Sequence, residues 1–206
     1  MIEAKPMIRR RFRAGVRMGW AGLAFAMGLS LAGCASRPEA TFDLSAAPAA
    51  RSLRALSAQV VVSEPLATAP ADSDRIVVRP TPDTRAAFQG AQWAERLPRL
   101  VQTRLLQSFE NAALSRFVGR PDGRIVAQYS LNTEIRRFDM DLSQGEAVVE
   151  ISARLVEESA GRIAAARIFS VRIAPAGEDG AAAAAALDAA LSQVMAQMVV
   201  WTAGRI

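Results

Sequence analysis

Three stretches between residues 124 and 173 alternate apolar and polar side chains, and this period of two constrains the fold more than any other feature. In "RIVAQYSLNTEIRRF" (124–138), Ile125, Ala127, Tyr129, Leu131 and Ile135 fall on one face, with Gln128, Ser130, Asn132 and Glu134 on the other. In "EAVVEISARLVE" (146–157), Ala147, Val149, Ile151, Ala153 and Leu155 share a face; in "RIAAARIFSVRI" (162–173), Ile163, Ala165, Phe169, Val171 and Ile173 do. Successive side chains of a strand point to opposite faces, so each stretch reads as a half-buried strand. "DMDLSQG" and "ESAG" supply the two turns, and the three strands make an antiparallel meander with one wet face. Phe138 breaks the parity of the first stretch, which places a bulge or bend near Arg136.

The flanking segments complete the layer pattern. "ALSAQVVVSEP" (55–65) ends in a β-branched run and a proline, and "DRIVVRP" (74–80) is a second short strand stopped by Pro80. "RAAFQGAQW" (85–93) is a third, weaker strand. The period then changes: Leu97, Leu100, Val101, Leu105, Phe109 and Ala113 recur at three and four residues, which marks a helix over about 93–114. Pro98 is compatible only with the first turn, so the helix begins at 96 or 97. Leu187, Leu191, Val194, Met198 and Trp201 give a terminal helix whose apolar face needs a surface to cover. The expected fold is α+β: a two-layer sandwich, an antiparallel sheet with two helices on one face, in the order β-β-(β)-α-β-β-β-α.

The start of the chain has a different logic. Residues 1–17 carry six basic residues and one acid, and "MGWAGLAFAMGLSLA" (18–32) carries no charge. A basic start, a short apolar run and small residues before a cut make a secretory signal peptide. The run is shorter than the roughly 20 residues of a membrane-spanning helix. Leu31, Ala32, Gly33 and Cys34 resemble the lipobox of bacterial lipoproteins, in which the cysteine is acylated and the chain is cut before it. Several acyl chains at about 0.8 kcal/mol per buried CH₂ anchor stably. The alternative is a cysteine that merely ends an apolar segment. "RRRF" (9–12) fits a twin-arginine signal core as well as an ordinary basic leader, and the general secretory route is the simpler reading. Ala35 after the cysteine, rather than Asp, resembles lipoproteins released to the outer membrane of Gram-negative bacteria, facing the periplasm. The domains are then 1–33 signal peptide, 34–54 acylated N-terminus and flexible tether, and 55–206 folded domain. The Ala-, Pro- and Ser-rich tether includes a short extended "TFDL" piece (41–44) and, as flexible coil, reaches on the order of 20–25 Å.

Composition narrows the chemistry. The full chain has 25 basic and 20 acidic residues, but removing residues 1–33 leaves 19 of each, so nucleic-acid binding loses its electrostatic support. There is no histidine, and Cys34 is the only cysteine. Imidazole-based triads and the commonest zinc ligand are therefore excluded, and no metal site is expected. Asp139, Asp141 and Glu146 bracket a turn without a basic catalytic partner at fixed spacing, and read as solvated turn residues. Trp93 and Trp201, at helix edges, are candidate lipid or partner contacts, with core packing the alternative. Arg136 and Arg137 are candidates for a phosphate headgroup, against a solvated strand end. Met195 and Met198 offer an adaptable apolar surface or helix burial. The weak 85–93 strand leaves a sheet edge that suits homo-oligomer or partner-strand addition. No nucleophile–base pair is recognisable, so an envelope hydrolase is disfavoured.

The ordered set of these features resembles the ABC-type transport auxiliary lipoprotein family. It is carried by "LAGC" (31–34), "DRIVVRP", "AQWAERLPRLVQTRLLQSFE" (91–110), "EIRRFDMD" (134–141), the meander and the helix ending in Trp201. The most specific piece is the W-A-E-x-L-P-x-L-V-Q core, and the resemblance spans roughly 41–203. One departure is the weak "AAFQGA" before it. The resemblance implies a non-enzymatic, lipid-anchored accessory of a transport system with a mammalian-cell-entry (MCE) domain protein and an ABC permease and ATPase, moving phospholipid or other hydrophobic molecules. It implies no cofactor beyond the covalent lipid on Cys34. The chain has no G-x-x-x-x-G-K-[ST] loop, so energy comes from a partner. An envelope scaffold for secretion or polysaccharide machinery is the alternative.

Overall fold

The computed structural model describes residues 39–48, 53–122 and 126–206. Their elements in chain order are β1 (Ala40–Phe42), β2 (Val60–Val62), β3 (Leu66–Ala67), β4 (Arg75–Arg79), β5 (Ala86–Trp93), α1 (Leu97–Asn111), β6 (Val118–Gly119), β7 (Tyr129–Asp141), β8 (Glu146–Glu157), β9 (Arg162–Ile173) and α2 (Gly180–Ala203). Strands β7, β8 and β9 form the antiparallel meander that the alternation predicts, from Tyr129 opposite Glu157 to Asp141 opposite Glu146, and from Ala147 opposite Ile173 to Glu157 opposite Arg162. The two turns use glycine where the backbone turns left-handed, at Gly145 (φ 68°) and Gly161 (φ 59°).

The bulge falls at Arg136. Ile135 faces Ile151 and Arg137 faces Glu150, so Arg136 is the extra residue. This is how Phe138 returns to the core side. A second bulge, with no expectation from the sequence, lies at Ala164: Leu155 faces Ala165, but Val156 faces Ile163. It turns Ile163 to the opposite face. Ile163, assigned to the apolar face by its parity, is 58 % exposed.

The remaining strands correct the expectation of a purely antiparallel sheet. β2, β3 and β4 lie end to end along one edge of β7, all parallel to it, with Val60 beside Tyr129, Leu66 beside Glu134 and Val77 beside Asp139. The chain passes through α1 between this segment and β7, and a helical crossover returns a strand in the same direction. β5 is antiparallel to β4, β1 is parallel to β5, and β6 is parallel to β2. Among the described residues the sheet is thus mixed, nine-stranded and open. β1 covers the Ala91–Trp93 end of β5, so the long uninterrupted edge is β9 rather than the 85–93 strand.

Residues 39–48 bear out the extended "TFDL" piece, where β1 forms, and correct the flexible reading of the residues around it. β1 is part of the sheet, and Leu44 and Ala47 are buried in the core. The Ala47 amide donates to Ser108 Oγ at 2.9 Å, and Asn111 Nδ2 donates to the Ala47 carbonyl at 2.8 Å. These contacts tie the segment to α1.

Both helices share one core with the sheet. α1 begins at Leu97 with Pro98 in its first turn, as expected, and buries Leu97, Leu100, Val101, Leu105 and Phe109. Asp179 caps α2 by accepting from the Ala182 amide at 2.7 Å. The alanine-rich first half of α2 buries Ala183, Ala184, Ala186 and Ala190, small side chains that suit close approach to the sheet. The approach is tightest at Gly180, where an added Cβ would lie 2.6 Å from the Ala91 Cβ. Gly180→Ala is therefore expected to destabilise the fold by about 1–3 kcal/mol, through displacement of the α2 start. Urea unfolding checks it, and an unchanged midpoint would contradict the close packing.

Candidate functional site

One face of the sheet is covered by α1 and α2. The other carries the outward residues of the meander, and the pairing registers fix which ones meet there. Asn132, Arg154 and Ala166 form one cross-strand row, and Glu134, Ser152 and Ile168 the next. Arg136, at the bulge, stands beside them. These residues border a shallow depression of about 380 Å³, lined by Arg136, Ser152, Arg154, Ala166 and Ile168 among others. Ser152 and Ala166 are short, which makes a low floor between longer neighbours. Arg136 Nε is 2.9 Å from Glu150 Oε1. Among the described residues, Arg154 makes no ion pair, and the Ser152 hydroxyl is 3.5 Å from Glu134 Oε2.

Farther along β7 the same face holds a buried ionic network. Arg137 Nη2 donates to Asp139 Oδ1 at 2.6 Å and to Asp141 Oδ2 at 3.0 Å, and Arg137 Nε donates to Asp139 Oδ2 at 3.2 Å. Arg79 Nε lies 3.9 Å from Asp139 Oδ1. Asp141 Oδ1 also accepts from the Ser143 hydroxyl at 2.6 Å and from the Ser143 and Gln144 amides, which binds the β7–β8 turn to the strand. The Ser143 hydroxyl, with Arg137 and the Gln144 amide, lowers the Asp141 carboxyl to about 2 against the opposing effect of burial. Asp139, chiefly, raises Arg137 above its ordinary value. Asp139 and Asp141 are 3 % and 7 % exposed. They are not solvated turn residues: the arginine pairing permits their burial. Glu146, by contrast, is partly exposed and lies 3.5 Å from Arg172.

The candidate contacts separate accordingly. Trp93 is 1 % exposed and packs edge-to-face on Phe138, with ring centroids 5.8 Å apart. Trp201 is buried edge-to-face against Phe169 at 5.7 Å. Both are core residues here, because the strand end and helix end that carry them turn inward onto the sheet. Met195 and Met198 are buried on α2 as well. Arg137 is committed to Asp139 and Asp141, whereas Arg136 remains exposed on the open face. Arg154 and Ser152, absent from the sequence candidates, join Arg136. Their signal was the shared outward parity of the second alternating stretch. Cys34, with Leu31, Ala32 and Gly33, lies outside the described residues.

A second concavity, of about 300 Å³, opens at the start of α2 between Phe88, Met140, Leu142, Pro175 and Ala183. Among the described residues, no three His, Cys, Asp or Glu side chains gather as metal ligands. α2 is long and apolar enough to cross a membrane, but 56 % of its most apolar window is buried in the fold. It serves here as the core helix.

Comparison with known proteins places this architecture. The chain is 35 % identical over 176 residues to an uncharacterized protein of Bradyrhizobium diazoefficiens, a match covering 82 % of this chain and 46 % of that protein. The chain thus spans about half the length of that curated relative. The crystal structure of protein XCC0632 from Xanthomonas campestris is similar at a TM-score of 0.74 and 31 % identity, over 79 % of this chain and 94 % of that one. Another crystal structure, of an uncharacterized protein, shares the fold at a TM-score of 0.59 and 15 % identity, over 76 % and 99 % of the two chains. The model of the ABC-type transport auxiliary lipoprotein component matches residues 42–199, from the last residue of β1 into α2, and the chain belongs to this envelope-associated lipoprotein family.

Proposed function

We propose that the chain is a non-catalytic, membrane-anchored accessory of an ABC transport system containing an MCE-domain protein, which moves phospholipid or other hydrophobic molecules across the envelope. One observation carries this reading: the family match, at 42–199, takes in nearly the whole folded unit described above. With no phosphate-binding loop of the G-x-x-x-x-G-K-[ST] type in the sequence, ATP hydrolysis falls to a partner. An acylated Cys34 would hold the domain at the periplasmic face of the outer membrane, close to the end of an MCE conduit.

The test is crosslinking and affinity capture of the acylated full chain from native envelopes. Recovery of an MCE protein with its ABC permease and ATPase is expected. Recovery of secretion or polysaccharide machinery without any ABC component would overturn the reading in favour of a scaffold.

A further inference from the structure

We propose that the depression between Arg136 and Arg154 on the open sheet face binds a phosphate group, either that of an anionic phospholipid headgroup or free phosphate. Four observations converge on it. The bulge at Arg136 inserts an extra residue into β7 and projects its guanidinium over β8; bulges commonly re-aim side chains in this way. Arg136 pairs with Glu150 through its Nε, 2.9 Å from Glu150 Oε1, while about half of its side chain stays exposed, which leaves the guanidinium open to a further anion. Arg154 lines the same depression and makes no ion pair among the described residues. Between them, Ser152 offers a hydroxyl whose existing interaction with Glu134, at 3.5 Å, is long and easily exchanged.

The chemistry selects the ligand class. Two guanidinium groups present planar forks of N–H donors that match phosphate oxygens, and a hydroxyl adds a second type of donor. Of the two acids nearby, Glu150 is engaged by Arg136 and Glu134 faces Ser152. Neither neutralises Arg154. Ala166 and Ile168, the latter 52 % exposed, form an apolar wall on the β9 side. That wall suits the glycerol and first methylenes of a lipid, whereas free phosphate would use the arginines and Ser152 alone. The sequence alone points to Arg136 with its neighbour Arg137. The structure replaces Arg137, already bound to Asp139 and Asp141, with Arg154 from the neighbouring strand.

The test uses the full chain in non-ionic detergent, titrated calorimetrically with dihexanoylphosphatidic acid and, separately, with inorganic phosphate. Arg136→Gln and Arg154→Gln are each expected to weaken binding by about tenfold or more, the effect of losing a charge-assisted contact. Arg99→Gln, which removes an exposed arginine on α1, should leave it unchanged. Thermal unfolding of each variant confirms that the fold persists, and Arg154→Lys, which keeps the charge but loses the fork, should bind with intermediate affinity. Comparable affinities for the two ligands assign a free-phosphate site. Phosphatidic acid bound about tenfold tighter or more, with Ile168→Ala closing that gap, assigns a lipid headgroup site. No binding of either ligand, or binding indifferent to both glutamine variants, overturns the proposal. The site does not depend on the transport partner: Arg154→Gln that loses phosphate yet still captures ABC subunits separates the two readings.

Discussion

Trp93→Ala is expected to destabilise the fold by about 3–5 kcal/mol, the usual cost of removing a large buried aromatic side chain. Trp93 ends β5, is almost wholly buried, and meets Phe138 edge-to-face at 82°. Its deletion removes both the transfer term and the aromatic pair, and leaves Phe138 facing a cavity. Against typical domain stabilities of about 5–15 kcal/mol, such a loss is severe. Trp93→Phe should cost much less. It keeps a ring against Phe138 and removes the indole Nε1, which is buried without a hydrogen-bond partner. Urea unfolding of the two variants distinguishes core from contact surface. A small stability change in Trp93→Ala, with loss of partner capture, would restore the surface role.

The second large effect is expected at Arg137. Arg137→Ala leaves Asp139 and Asp141 buried beside each other with only Arg79 near Asp139. Breaking a buried ionic network on one side costs about 3–5 kcal/mol, because the remaining charges have lost solvent and partner together. Replacing Asp139 and Asp141 by Asn in the same chain should recover much of the loss, which a purely packing role for Arg137 would not allow. The network also sets an acid limit. The Asp141 carboxyl is held at about 2 in the fold, below the ordinary carboxylate range near 4 in the unfolded chain. Its contribution is therefore complete above about pH 4 and lost as pH falls toward 2. Asp141→Asn should be less stable at neutral pH and should flatten the stability profile between pH 4 and 2. A parallel downward shift at every pH would contradict this role.

The parts of the fold that were legible in the sequence are those where side-chain polarity alternates clearly. The meander follows from Leu131, Ile135, Val149, Ile151 and Phe169 set against Asn132, Glu134, Glu150 and Ser170. The bulge at Arg136 was legible because Phe138, a large apolar residue, arrives on the wrong parity. The bulge at Ala164 was not, because "AAA" (164–166) has no polarity contrast from which to count. The same indifference of alanine hid the folded part of the tether: Ala47 is buried, yet its neighbours read as linker. β2, β3 and β4 are two to five residues long, too short for a period to declare their direction. Their parallel pairing is a consequence of the crossover through α1. At the candidate site, Arg136 was visible and Arg154 was not, since neighbourhood across strands depends on register rather than on sequence distance.

The decisive measurement is the rate at which isotope-labelled phospholipid exchanges between inner and outer membranes in cells lacking this chain, compared with cells re-expressing it. A slowed exchange, restored by the wild-type chain and by Trp93→Phe, is the expected result. Unchanged lipid exchange together with a defect in secretion or polysaccharide export would contradict the transport role.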